Sequence, residues 1–163
     1  MLAWIRRGSP IRASAITVIV SAIIVSGQSV RVSTRSNISC LVQPDSPISV
    51  DRISLRAEGR LSALLANRSD TRIVRVQCGK FVLWPDKNVV TKLGRPFEVN
   101  LEAKRITRVE DLHVAGEPQA NALQVMVFVV SVKYSSGGTW SEAVAPLRDA
   151  VVKNFGYRIH PAK

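Results

Sequence analysis

The segment that most constrains the fold is the apolar run Leu123–Tyr134, "LQVMVFVVSVKY". It is rich in β-branched residues, and apolar side chains occupy both alternating sets of positions through its middle. A helix of this length is too short to span a membrane. The composition favours a strand, and the lack of a polar face indicates a central strand covered on both sides.

Alternating apolar and polar residues predict further strands, separated by turn residues. These segments are Ile48–Arg56, Arg60–Asn67, Arg72–Trp84, Val89–Leu93 and Phe97–Leu101. We expect a bulge at Asp51-Arg52 in the first, and a bulge at Gly79 would let Phe81 and Leu83 face the same core as Cys78. Residues 104–114 are compatible with an edge strand or a short helical turn.

Two glycines in "VKYSSGGTW", at 137 and 138, follow the apolar run and precede another strand-like pair. A phosphate-binding loop needs a helix directly after it and a Lys-Ser/Thr pair at fixed spacing. Neither is present, so the stretch is predicted to be a hairpin turn.

Helical periodicity replaces alternation after residue 142. Val144, Leu147, Val151 and Phe155 recur at helical spacing before Gly156, which predicts an amphipathic helix over 143–156. Its polar face carries charges of both signs, which favours packing on the sheets over docking on a membrane or partner. Residues 157–163 form a basic tail.

The N-terminus has the layout of a secretory signal. Arg6, Arg7 and Arg12 precede an uncharged apolar run, and Val25-Ser26-Gly27 offers small residues for cleavage before Gln28. Segment 1–27 is therefore expected to be a signal peptide or a retained membrane anchor. A linker, 28–47, follows, and a short edge strand near Cys40–Val42 is compatible with its end. Both alternatives export the domain to the periplasm or outside the cell, the second tethered by one N-terminal transmembrane helix.

Cys40 and Cys78 are the two cysteines of the chain. In an oxidising compartment such a pair forms a disulfide, and the alternative is two separate buried thiols. The sequence leaves both open.

The net charge of +11 indicates affinity for anionic partners. The densest basic stretch, "EAKRITR", holds Lys104, Arg105 and Arg108, and Arg72 and Arg75 are further candidates for a polyanion-binding surface. A solvated strand edge protected against aggregation explains the same residues. We expect a protein or an anionic envelope partner before nucleic acid, and membrane contact only through an uncleaved N-terminus.

No motif for catalysis, a cofactor or a metal stands out. The histidines, His113 and His160, have no metal-ligand spacing relative to the cysteines. A Cys78–His113 dyad with Asp111 nearby would require the fold to bring them together. Glu98 and Glu102 fit a solvated strand better than a pair of catalytic carboxylates. We expect no cofactor and no metal.

Three loose motifs, "LLANRSDTRI", "KFVLWPDKNVV" and "VKYSSGGTW", lie within residues 58–142. In these the chain resembles bacterial exported β-sandwich domains of the Ig-like or FxLYD type, although "FVLWP" replaces the F-x-L-Y-D motif itself. The resemblance implies an Ig-like sandwich and carries no catalytic residues.

The expected fold is therefore mainly β: an antiparallel Ig-like β-sandwich over 48–142, one C-terminal α-helix and an N-terminal signal or anchor helix. The expected function is an exported, non-enzymatic interaction or structural module of the bacterial envelope. A basic polyanion-binding module and a small envelope enzyme using Cys78 are the alternatives.

Overall fold

The computed structural model describes residues 23–25, 28–32, 37–56, 60–114, 122–156 and 158–159. Most of the expected signal or anchor segment (1–27) and most of the tail (157–163) lie outside the described residues, as does part of the expected linker.

Twelve strands and one helix are described. In chain order they are β1 (Ile23–Val25), β2 (Gln28–Val32), β3 (Ile38–Leu41), β4 (Ile48–Leu55), β5 (Leu61–Asn67), β6 (Ile73–Leu83), β7 (Asn88–Leu93), β8 (Phe97–Leu101), β9 (Ile106–Val109), β10 (Gln124–Tyr134), β11 (Thr139–Ser141), α1 (Val144–Phe155) and β12 (Arg158–Ile159). The chain is thus mainly β with one C-terminal helix, as the sequence predicts.

The larger sheet has nine strands around a central pair, β6 and β10. Its order is β1-β2-β3-β10-β6-β7-β12, and β8 and β11 pair with the remaining lengths of β6 and β10. Strand β3 lies parallel to β10, and β12 lies parallel to β7. Residues Val125–Val129 of β10 are fully buried, which confirms a central strand covered on both faces.

The smaller sheet, in the order β4-β5-β9, packs on one face of the larger sheet. Leu61, Ala63 and Leu65 of β5 point into this core, as their alternation predicts. The expected bulge in β4 is confirmed. The register with β5 shifts between Asp51 and Ser54, and Arg52 has a positive φ of 47°.

Helix α1 covers the opposite face of the larger sheet, where Leu147 and Val151 are buried. The expected bulge at Gly79 is wrong. Pairing of β6 with β10 runs through Gly79 without a shift, so Phe81 turns away from the face of Cys78 and stacks on Phe128 with ring centroids 4.4 Å apart. Because α1 forms a second hydrophobic core on that side of the sheet, the alternating side chains of β6 are buried on both faces without a bulge.

The turns and helix ends follow the sequence closely. "SSGG" joins β10 to β11, with Tyr134 N–H bonded to Gly138 C=O at 2.9 Å and Gly137 at φ 93°. Gly156 ends α1 in the left-handed region at φ 65°. The linker assignment is wrong for β2 and β3, which belong to the larger sheet. The short strand expected near Cys40–Val42 corresponds to β3, but it occupies an interior position and not an edge. Among the described residues, no helix has the length and apolar character needed to cross a membrane.

Candidate functional site

Cys40 of β3 and Cys78 of β6 are buried free thiols. Cys40 lies opposite Val127 and Cys78 opposite Val129, so β10 runs between the two cysteines. Neighbouring strands are about 4.8 Å apart, which places Cα atoms two strands apart at roughly 10 Å, beyond the reach of a disulfide at about 7 Å. The sequence left open a Cys40–Cys78 disulfide or two separate buried thiols, and the structure contains the separate thiols.

Burial suppresses the reactivity of both thiols. It raises the pKa of Cys40 to about 12, a rise that a hydrogen bond from the backbone of Ile53 opposes and the charge of Asp51 increases. Burial likewise raises the pKa of Cys78 to about 12, with a smaller contribution from Cys40. Since the thiolate is the nucleophile, both side chains are inert at neutral pH.

The structure does not assemble the Cys78–His113 dyad. Cys78 points into the core between the sheets, whereas His113 is exposed and packs on Phe97 with ring centroids 5.3 Å apart. Asp111 accepts a hydrogen bond from the backbone N–H of His113 at 2.7 Å, so it shapes the loop. No group of three or more potential ligands among the described residues is placed to hold a metal ion.

The basic residues singled out in the sequence are largely neutralised by carboxylates. Arg72 pairs with Glu102 at 3.9 Å, and Arg75 forms two hydrogen bonds to Glu98. Lys104 lies 3.2 Å from Asp70, and Arg108 lies 3.6 Å from Glu110. Arg105 forms no ion pair with a carboxylate of the described residues.

A cleft of about 930 Å³ opens beside β3 and β4. Ile38–Gln43 line one wall, Ile48–Ile53 line the other, and Leu64, Arg68 and Ile106 extend the lining across the outer face of the smaller sheet. Cys40 lies in this wall, so its thiol is part of the apolar lining. This cleft is the candidate functional site.

The wall formed by β4 carries unpaired backbone groups. Both the N–H and the C=O of Ile48 bond to the Ser46 hydroxyl, so they point away from β5. Alternate residues of an antiparallel strand direct their backbone groups to the same side, so those of Val50 also point away from β5. Within the described residues β4 pairs with β5 alone, although Val50 is only 8% exposed.

Charged side chains stand at both ends of the cleft. Arg52, in the bulge of β4, forms no ion pair within the described residues, and its left-handed backbone is a strained conformation for a non-glycine residue. The Arg68 guanidinium donates to the Pro44 C=O at 3.2 Å and likewise has no carboxylate partner there. Asp51 lies between them on the β4 wall. Six other basic residues are paired: Arg56, Arg72, Arg75, Lys104, Arg108 and Arg148.

The sequence pointed to the bulge but not to the cleft. The alternation break at Asp51-Arg52 located the irregular part of β4. The strand near Cys40–Val42 was expected only at a sheet edge at the end of a linker, so the wall formed by β3 was missed. No family model, curated protein or solved structure matches this chain.

Proposed function

We propose that this chain is an exported, non-enzymatic interaction module that binds an extended segment of a partner protein along β4. The observation that carries the proposal is the position of Val50, which lines the cleft, and no described strand other than β5 lies beside β4. By the alternation along β4, the N–H and C=O of Val50 point away from β5.

Strand addition is the binding mode that such an edge supports best. Buried backbone groups are almost always hydrogen-bonded, so unpaired groups in a recessed wall favour an occupant that supplies a donor and an acceptor. An extended peptide supplies both at alternate residues. Apolar side chains beside Val50, from Ile38, Ile53 and Leu64, offer contacts for its side chains.

The two alternatives have weaker support. A polyanion-binding surface built from Arg72, Arg75, Lys104 and Arg108 would require breaking their ion pairs with carboxylates. An enzyme using Cys78 would require a thiolate where burial keeps the thiol protonated. An Ig-like relationship of the two sheets remains part of our proposal, supported by their face-to-face packing and by the turn motifs of residues 58–142.

Export is supported by the arginines that precede the apolar run of residues 13–30. Strand β1 stands at the end of the larger sheet and pairs with β2 alone. Cleavage before Gln28 would therefore leave every other strand pairing in place. A fusion of residues 1–47 to a reporter enzyme active only outside the cytoplasm tests this part, and a reporter that stays inactive would contradict it.

Peptide binding is tested with the full chain and a randomised library of eight-residue peptides. We expect retained peptides to protect the Val50 amide from hydrogen exchange. Val50→Pro removes the outward N–H without touching the bonds to β5, so it should abolish binding. Arg108→Pro, on the outward edge of β9, is the matched control and should bind normally. Peptides that bind wild type and Val50→Pro equally would refute the proposal.

A further inference from the structure

We infer that the partner segment is acidic, with carboxylates near both of its ends that meet Arg52 and Arg68. This inference rests on the proposed function and adds the chemistry of the partner.

Charge complementarity is the first support. Arg52 and Arg68 line the cleft without a carboxylate partner among the described residues, whereas Lys104 and Arg108 of the sequence's densest basic stretch each pair with a carboxylate. A guanidinium matches a carboxylate in shape and charge and holds it with two hydrogen bonds. Arg52 and Arg68 are therefore the guanidinium groups that the cleft offers to an anion.

The spacing of the two arginines sets the length of the partner segment. Arg68 N–H bonds to Pro47 C=O at 2.7 Å, so Arg68 stands beside the start of β4, whereas Arg52 lies in its bulge. Five residues of a strand separate positions 47 and 52, which is roughly 16 Å at the usual rise per residue. An extended segment of about six residues reaches both arginines with its terminal side chains.

Asp51 restricts the charge between those ends. Its carboxylate lines the same wall and raises the pKa of Cys40, so its negative charge acts inside the cleft. Because Asp51 directly precedes Arg52, an acidic residue just inside the Arg52 end of the segment would meet like charge. A segment acidic at its ends and neutral in its middle fits this pattern better than a nucleic acid, which carries charge along its whole length.

The test compares two blocked peptides, Asp-Thr-Val-Thr-Val-Asp and the same peptide with Asn at both ends. Because both ends of the peptide carry a carboxylate, the comparison does not depend on whether the peptide runs parallel or antiparallel to β4. At low salt we expect the acidic peptide to bind at least about tenfold more tightly, and Arg52→Gln and Arg68→Gln each to weaken it roughly fivefold. Binding of the Asn peptide should not change. Lys133→Gln, an exposed lysine on β10, removes the same charge elsewhere and is the matched control.

Each outcome decides between the two proposals. Equal binding of both peptides, with protection of Val50, would overturn the acidic partner and leave strand addition standing. Failure of both peptides and of the library would remove the proposed function and this inference together. Tighter binding of a twelve-nucleotide single-stranded DNA, lost in Arg52→Gln, would overturn the inference in favour of nucleic acid.

Discussion

The side-chain amide of Gln43 hydrogen-bonds both backbone groups of Val129. Its Nε2 donates to the Val129 C=O at 2.9 Å, and its Oε1 accepts from the Val129 N–H at 2.7 Å. Strands β3 and β11 pair with the same side of β10 and leave Val129 between them. The Gln43 side chain therefore completes the ladder where neither strand reaches.

Gln43→Ala should lower the free energy of unfolding by about 2–4 kcal/mol, because it leaves two buried backbone groups unpaired. It also removes the bond from Gln43 Nε2 to Glu142 at 2.9 Å. Urea unfolding measures the change. Gln124→Ala, which removes one partly buried bond to Ser39, is the control and should cost less than about 1 kcal/mol. Equal losses for the two variants would contradict this role of Gln43.

Gly94→Ala should destabilise the fold by about 3 kcal/mol, or prevent folding. A Cβ there would lie 2.5 Å from the carbonyl oxygen of His113 and 2.8 Å from that of Cys78, and neither backbone atom can swing aside. Gly138→Ala is the control, because its Cβ would meet only Tyr134 at 3.6 Å. A Gly94→Ala protein as stable in thermal unfolding as the control would show that β7 and the His113 loop approach less closely.

Alkaline pH should unfold the chain through its thiols. The folded pKa of Cys78 is about 12 against an ordinary 9.0. The contribution of the Cys78 thiol to the free energy of unfolding is complete below pH 9.0 and is lost as the pH rises toward 12. The loss occurs because the thiol loses its proton in the unfolded chain at a lower pH than in the folded chain. The slope approaches about 1.4 kcal/mol per pH unit for each thiol. Urea unfolding of Cys78→Val should show a shallower decline between pH 9 and 11. An unchanged decline would mean that the thiol ionises freely in the fold.

Acidification should weaken the fold through Lys80. Burial lowers the pKa of this lysine, and the charge of Lys92 lowers it further. Because the pKa is lowered, the lysine's contribution to the free energy of unfolding is present above pH 10.5 and is lost as the pH falls through the pKa of the folded state. Lys80→Met should therefore gain stability relative to wild type as pH falls from about 11 to 7. The exposed Lys133→Met should show no such trend, and a gain independent of pH for Lys80→Met would exclude the effect.

Local sequence patterns predicted most strands because each depends on short-range alternation. The hairpin at Gly137-Gly138, the bulge at Asp51-Arg52 and the helix ending at Gly156 all follow from neighbouring residues. Neighbouring residues did not predict the face of β6 on which Phe81 lies. The choice between a bulge at Gly79 and unbroken alternation depends on whether α1 covers the second face of the sheet. The packing of α1 on the sheet is a tertiary contact, and short-range sequence patterns do not contain it.

The candidate site was missed for a similar reason. The polar residues around β3 and the two prolines that follow it are typical of a linker. The burial of β3 comes from its parallel pairing with β10, in which Ile38 lies opposite Val125. Ion pairing also changed the interpretation of the basic residues. A sequence count includes Arg75 and Arg52 alike, whereas Glu98 pairs with Arg75 and no carboxylate of the described residues pairs with Arg52.

The position of β10 between β3 and β6 has a consequence for the order of assembly. No other described strand joins those two, so the larger sheet stays in two halves until residues 124–134 arrive. Strand β3 is synthesised before β10 and can pair only with β2 among the described strands until β10 follows. This arrangement suits the export proposed above, because the larger sheet stays open for membrane crossing until residues 124–134 have been made.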